Sequence, residues 1–430
     1  MKLTHRNFRS NVNQTYRRLG PRPDKAPGLP TLSPDTTSIA FLPLAHVFER
    51  LAGHFVMFAS GATVGYVEEA DSLADDIKLI QPVTGASVPR VYERIFDNMR
   101  EQASESAVKE RIFNWALGVA REWATTDDPG IGLRTKHALA DRLVYSTVKE
   151  NLGGNLEYMV SGGGSLSKDL CETFLGMGLT IVEGYGLTET SPVVSVNPPE
   201  DIRPGTLGVP VVDQDVRVDP SVVDASQFED VQGRIGELQV RGPNVADGYW
   251  NKSDETAAAF LEEDDGTWFR TGDIVEVRDD DFLVYHDRLK EIIVLSTGKN
   301  VAPQPIEDAF ATDDRVDQVM VVGDERKFIG ALIVPNIEAA RRWAAEEGID
   351  LPADEAGICA DERVQQWVDE SVQSVNDRLE RVERIKRFEL VSREWTAEND
   401  LLTPSMKKKR RNITEEFEEK LAAIYDETAD

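Results

Sequence analysis

Apolar positions recur along the chain with two different periods. In residues 7–19, Phe8, Val12, Tyr16 and Leu19 fall on one face of a helix. Residues 21–34 hold five prolines and read as a loop. Apolar runs at 38–42, 63–67 and 84–88 then read as strands, with helical patterns near 48–59 and 72–80 between them. This alternation predicts a parallel sheet with crossover helices. Two long helical patterns follow at 93–125 and 134–151, then strands at 156–160 and 179–182. From about residue 207 to 286 the runs shorten to strands at 236–240, 274–277 and 282–285. The last two flank Asp279, Asp280 and Asp281 and predict a hairpin.

Beyond Asp287 the texture changes again. Runs at 316–322 and 329–335 flank a polar turn, and helical patterns lie at 336–347 and 361–381. In the second helix Val364, Trp367, Val368, Ser371, Val372, Val375 and Leu379 share a face. A strand at 388–391 and a helix carrying Ile413, Phe417, Leu421 and Ile424 close the chain. The expected class is α/β. A large N-terminal domain, residues 1–287, combines parallel-sheet and β-rich subdomains, and a smaller mobile α+β domain covers residues 288–430.

Charge narrows the partners. Asp and Glu number 77 against 48 Lys and Arg, for a net charge of −29 over 430 residues. That argues against general affinity for nucleic acid or anionic lipid. The acid is spread along the chain, as on a surface adapted to strong salt. No run approaches the ~20 apolar residues of a membrane span, and Met1 to Asn7 contain no signal-peptide core. A cytoplasmic location is the expectation. Cys171 and Cys359 are far apart and read as inert thiols. The five histidines, His46 among them, show no zinc spacing, and no Gly-x-Ser-x-Gly suggests a hydrolase.

Candidate chemistry gathers after the strands. The run Val182-Glu183-Gly184-Tyr185-Gly186-Leu187-Thr188-Glu189-Thr190 follows an apolar strand. Its tyrosine can stack on a base, its threonine can bond a phosphate, and Glu189 can hold a hard cation such as Mg²⁺. It also fits a polar turn leaving a core strand. Ser161-Gly162-Gly163-Gly164-Ser165 would let backbone lie against a planar or phosphorylated ligand. Asp273, after Arg270-Thr271-Gly272, can accept two hydroxyls of a ribose, or merely close a turn. The segment Asp287-Arg288-Leu289-Lys290-Glu291 suits a hinge or a linker salt bridge. In Lys407-Lys408-Lys409-Arg410-Arg411, one lysine could stabilise charge in acyl or phosphoryl transfer. Lys408 to Arg411 fit a solvated run.

In order and spacing these motifs, with Gly236-Glu237-Leu238 and Thr403-Pro404-Ser405-Met406-Lys407, resemble the AMP-forming, adenylate-forming ligases. Pro43-Leu44-Ala45-His46-Val47-Phe48-Glu49-Arg50 and Val88-Pro89-Arg90-Val91-Tyr92-Glu93-Arg94 resemble the long-chain fatty acyl-CoA synthetase branch. The resemblance implies ATP, Mg²⁺ and coenzyme A as cofactor and co-substrates, and a fatty acid as substrate. Tyr185 would stack on adenine beside Gly162, Gly163, Gly164 and Ser165, with Glu183, Gly184 and Gly186 in the same nucleotide site. Thr188 would touch the α-phosphate, Glu189 would hold Mg²⁺, and Asp273 with Arg288 would bind the ribose. Lys407 would bridge carboxylate and phosphate in the first half-reaction. Lys290 would be the hinge that swaps Lys407 for the loop of Gly298, Lys299 and Asn300 on the coenzyme A side.

The family places a Ser/Thr/Gly-rich phosphate loop ahead of a Leu-Thr-His-like segment, and here Met1-Lys2-Leu3-Thr4-His5 stands at that junction. The expectation is therefore an N-terminally truncated ligase. The alternatives are an inactive or split-gene fragment needing a separate N-terminal part, and a ligase of the same superfamily for another acid. Peripheral membrane contact and a homodimer stay open.

Overall fold

The computed structural model describes residues 1–68, 72–223, 228, 231–403 and 406–426. They form two compact units. One runs to Tyr285, and the other begins at His286 and takes in Phe228.

The first unit opens with a helix, His5–Leu19, started by a capping box between Thr4 and Asn7. Four of its five buried positions are polar, Asn7, Asn11, Gln14 and Thr15, and the fifth is Leu19. Asn11 exchanges hydrogen bonds with the backbone of Val193, and Asn7 donates to Pro243 O and Val245 O. The helix thus serves as a hydrogen-bonding plate for loops, satisfying backbone groups that would otherwise be buried unpaired. Phe8 and Val12 pack at its side.

A seven-stranded sheet follows in the order β2-β1-β3-β4-β5-β6-β7. Its strands are β1 (Thr37–Ala40), β2 (Thr63–Tyr66), β3 (Thr84–Ser87), β4 (Tyr158–Ser161), β5 (Thr180–Gly186), β6 (Val193–Val196) and β7 (Val209–Pro210). The first five are parallel, as the alternation of strand and helix predicts, and β6 and β7 are antiparallel additions. One face packs on Phe48, Leu51, Val56 and Met57, and the other on Tyr92, Phe96, Phe113 and Phe174. Where one long helix is predicted at 93–125, the chain makes two, Pro89–Ser104 and Ala107–Ala124. Ser106 accepts from Val108 N and caps the second.

The β-rich region is a second sheet of β8 (Asp215–Asp219), β9 (Arg234–Arg241), β10 (Phe260–Glu263) and β11 (Gly266–Val277), in the order β10-β11-β9-β8. The turn at Asp279 to Asp281 is the predicted hairpin, with Arg278 N donating to Phe282 O. The chain leaves this unit along β12 (Leu283–Arg288).

The second unit holds a small ribbon, β13 (Ile293–Val294) with β14 (Asn300–Val301), and a three-stranded sheet. In that sheet β15 (Val316–Val322) and β16 (Ile329–Pro335) are antiparallel, and β17 (Ile385–Leu390) joins β16 in parallel. Ile306, Val319, Ile333, Ile358, Val364 and Val368 fill its core. The predicted final helix is broken at Phe417 into Arg410–Glu416 and Glu418–Ile424.

Candidate active site

Strands β4 and β5 are parallel neighbours in register, Ser161 opposite Glu183. Strand β4 therefore releases the Gly162 to Ser165 loop beside Glu183 to Gly186, the last residues of β5, where the sequence places a break and the strand instead runs on to pair with β6. This is where an open α/β sheet places its ligand sites. Glu183 is buried, and its Oε1 accepts from Leu166 N at 3.3 Å, tying the two segments together.

The glycines divide by role. Gly163 has φ +83°, which a side chain rarely adopts. A Cβ at Gly162 would meet the Phe48 ring at 3.0 Å, so that glycine admits the aromatic of the Pro43 to Arg50 motif. A Cβ at Gly186 would lie 1.9 Å from Pro192 O. Gly186 is required by the chain reversal itself. Gly184 and Gly164 meet only ordinary contacts, at 3.4 Å.

Tyr185 and Asp273 come together from positions 88 residues apart. The tyrosine hydroxyl donates to Asp273 Oδ2 at 2.6 Å. Burial and the neighbouring Asp273 charge push the Tyr185 hydroxyl well above its ordinary value, so it stays a proton donor. Asp273 is buried, and its own N–H donates to Thr271 Oγ1 at 3.1 Å. The turn beneath it is shaped by Glu237, a buried residue of β9. Glu237 accepts Arg270 Nε at 2.8 Å and NH2 at 2.5 Å, and Gly272 N at 3.2 Å.

Thr188 and Glu189 stand in a short 3-10 turn, Thr188–Thr190. Tyr249 donates its hydroxyl to Glu189 Oε1 at 2.9 Å, and Ala246 N donates to Glu189 O at 2.7 Å. Burial and the Glu189 charge raise the Tyr249 hydroxyl as well. Among the described residues no group of three or more His, Cys, Asp or Glu could hold a metal. A lone oriented carboxylate still suits Mg²⁺, which takes one or two protein carboxylates and completes its shell with water and phosphate oxygens.

The remaining predicted residues lie in the second unit. Arg288 is exposed, and its N–H donates to Asp287 Oδ1 at 2.7 Å. Asp287 is buried and also accepts Gln304 N at 2.9 Å. Burial lifts its carboxyl to about 6 against the pull of these two amides. Lys290 is exposed. Gly298 has φ +78° in a tight turn where Leu295 N donates to Lys299 O at 2.9 Å; Lys299 is exposed and Asn300 half-buried. Lys407 is exposed, and its N–H donates to Thr403 Oγ1 at 3.0 Å.

The basic run after it departs from the sequence reading. Lys408 and Arg410 are half-buried, and both bond the buried Glu307, while Arg411 is exposed as a solvated run would have it. Burial pushes the Glu307 carboxyl up, and Arg410 and Lys408 outweigh it, leaving it below its ordinary value. Glu307, Tyr249 and Asn244, which donates to Thr190 O at 2.8 Å, were not singled out from sequence. Their signal is three-dimensional. Only Glu237 lies within a quoted motif.

Comparison with known proteins gives the family. The model of the AMP-binding enzyme family matches residues 1–250, and that of the AMP-binding enzyme C-terminal domain matches residues 290–429. The chain belongs to the AMP-binding enzyme family. Among relatives in that family, long-chain-fatty-acid–CoA ligase FadD15 of Mycobacterium tuberculosis is 38% identical over 390 residues, 90% of this chain and 62% of its own length. Human long-chain-fatty-acid–CoA ligase 1 is 32% identical over 398 residues, 91% of this chain and 55% of its own. The chain thus spans about 60% of the length of the relatives it matches.

Two solved structures share the fold at 24% identity. They are the adenylation domain of a carboxylate reductase from Mycobacterium chelonae and the A domain of a carboxylic acid reductase from Segniliparus rugosus, the latter in complex with AMP and a co-purified carboxylic acid. The TM-score is 0.69 for each. The first match covers 91% of this chain and 54% of its counterpart, the second 97% and 59%. Among the described residues of this AMP-binding enzyme, no helix is long and apolar enough to cross a membrane.

Proposed function

We propose that this AMP-binding enzyme chain serves an ATP-dependent acid–thiol ligase that converts a long-chain fatty acid to its coenzyme A thioester through an acyl-AMP. The observation that carries the reading is the Tyr185–Asp273 hydrogen bond, 2.6 Å long, at the end of the strands that also release Gly162 to Ser165 and Glu189. The bond brings a flat ring and a carboxylate together, a pairing that would suit the base and ribose diol of an adenosine. The long-chain branch rests on the identity to the two fatty-acid ligases.

In this reading Tyr185 stacks on adenine along the Gly162 to Ser165 backbone, and Asp273 with Arg288 holds the ribose hydroxyls. Thr188 bonds the α-phosphate and Lys407 bridges it to the substrate carboxylate. The carboxylate oxygen attacks the α-phosphorus and pyrophosphate leaves. The thiol sulfur of coenzyme A then attacks the acyl carbon and AMP leaves. Mg²⁺ held by Glu189 would neutralise phosphate charge. Residues 1–287 form the nucleotide-binding domain. Residues 288–430 form a lid that turns about Lys290, exchanging Lys407 for Gly298, Lys299 and Asn300.

The test is ATP–pyrophosphate exchange with a panel of acids. Palmitate should support exchange. Exchange with benzoate or acetate and none with palmitate would overturn the long-chain assignment.

A further inference from the structure

Five consecutive cations, Lys407 to Arg411, raise a question that composition does not answer: what decides which of them is presented? The backbone here is a hairpin. Leu402 bridges Lys408, Thr403 N donates to Lys407 O at 2.8 Å, and Lys409 N donates to Leu401 O at 2.9 Å. Around that bridge neighbouring side chains point to opposite sides, and Arg410, the first residue of the helix Arg410–Glu416, returns to the side of Lys408. Lys408 turns inward to Glu307 Oε2, and Arg410 reaches Glu307 Oε1 at 2.6 Å and Val321 O at 3.1 Å. Lys409 pairs with Asp400, and Arg411 with Glu415 at 2.8 Å. Lys407 and Arg411 are exposed, while Lys408, Lys409 and Arg410 are each half-buried, so Lys407 is the exposed lysine of the run.

Glu307 itself has little freedom. It sits on the short helix Pro303–Asp308, is 4% exposed, and takes Val321 N at 2.8 Å as a third donor. The helix start is bound in turn to the hinge segment, through Gln304 N and Asp287 Oδ2. Arg410 Nε also lies 3.5 Å from Glu291 of that segment.

We propose that Glu307 is a positioning residue that sets the register of the basic hairpin. By taking Lys408 and Arg410 together, it fixes Lys407 as the lysine presented and ties that lysine to the hinge segment. A slip of one residue would bury Lys407 against Glu307 and turn Lys408 outward. In that slip Lys409 would face Glu307 in place of Arg410, and the second contact that Arg410 makes, to Val321 O, would be lost. The catalytic meaning of this lock rests on the role given to Lys407 above, while the lock itself does not.

Site-resolved amine reactivity tests it without turnover. The full chain is trace-acetylated with acetic anhydride and each lysine quantified by peptide mass spectrometry. Lys407 should label at least fivefold faster than Lys408. Glu307→Gln should bring Lys408 to within twofold of Lys407, and Glu307→Asp should restore much of the protection. Asp400→Asn should raise Lys409 alone, which controls for general loosening. Equal labelling of Lys407 and Lys408 in the wild-type chain would overturn the proposal, whether or not the variants fold. So would a Glu307→Gln chain in which Lys408 stays protected. Failure of the Lys407 assignment shows separately, as adenylation left intact by Lys407→Ala.

Discussion

The hydroxyl of Tyr185 donates to Asp273 Oδ2 at 2.6 Å, joining the end of β5 to the middle of β11. The bond holds the ring and the carboxylate in fixed relation before a nucleotide arrives. Tyr185→Phe keeps the stacking surface and removes one neutral-to-charged hydrogen bond. AMP affinity, read by calorimetry, should fall about fivefold, or ~1 kcal/mol. Tyr185→Ala should cost a further ~1–3 kcal/mol, because the stacking surface goes too. Equal losses would mean that the ring does not contact the base.

Tyr249 does for Glu189 what Tyr185 does for Asp273. Tyr249→Phe should raise the Mg²⁺ concentration needed for half-maximal ATP binding several-fold, since the carboxylate loses its 2.9 Å donor. AMP binding in EDTA should not change. A parallel loss in both titrations would assign Tyr249 to the fold.

Much of this was legible in the sequence, and the reason is local. The strands of the parallel sheet are short apolar runs bounded by breakers, so period and punctuation locate them to within a few residues. The Gly162 to Ser165 segment follows such a strand, which makes it visible as a loop at a carboxyl edge, whereas the glycines at 184 and 186 read as breakers although β5 runs on through Tyr185 to Gly186 before the turn at Thr188. What stayed hidden depends on partners distant in the chain. The first helix buries Asn7 and Asn11 because loops near 193 and 243–245 offer unpaired backbone groups. Its sequence shows only a modest apolar face. Lys408 and Arg410 look solvated until Glu307, about a hundred residues earlier, is seen to take both of them. Phe417 reads as one face residue of a continuous helix, yet the chain breaks there.

Glu49 gives a pH signature. It is fully buried in a wide π-helical turn, Glu49–Phe55, and burial pushes its carboxyl up to about 8, with weak opposition from the Leu42 backbone. The folded chain therefore holds a proton that the unfolded chain releases near pH 4.5. Stability contributed by the neutral form is present below that value and lost as pH rises towards 8. The loss over this window is on the order of 4 kcal/mol. Glu49→Gln should flatten the fall in melting temperature between pH 5 and pH 8.5. An unchanged slope would show that Glu49 is not the group responsible.

Glu237 is the support of the Asp273 turn. Glu237→Ala leaves Arg270 without the Oε2 that accepts both its Nε and Nη2, and Gly272 N without an acceptor. Stability should fall by about 1–2 kcal/mol in urea unfolding, because the half-exposed Arg270 can turn to water and the main loss is the hydrogen bonds that hold the turn. Glu237→Gln should cost less and keep AMP binding within a few-fold of wild type. Severe loss of binding with full stability would instead make Glu237 a ligand contact.

The central claim is a site for a long-chain acyl-adenylate, and a stable sulfamate analogue of palmitoyl-AMP reads it directly by calorimetry, with no call on the β- and γ-phosphates. The account predicts that this analogue binds at least tenfold more tightly than its benzoyl counterpart, and that Asp273→Ala abolishes both. Tighter binding of the benzoyl analogue, or binding indifferent to Asp273→Ala, would contradict it.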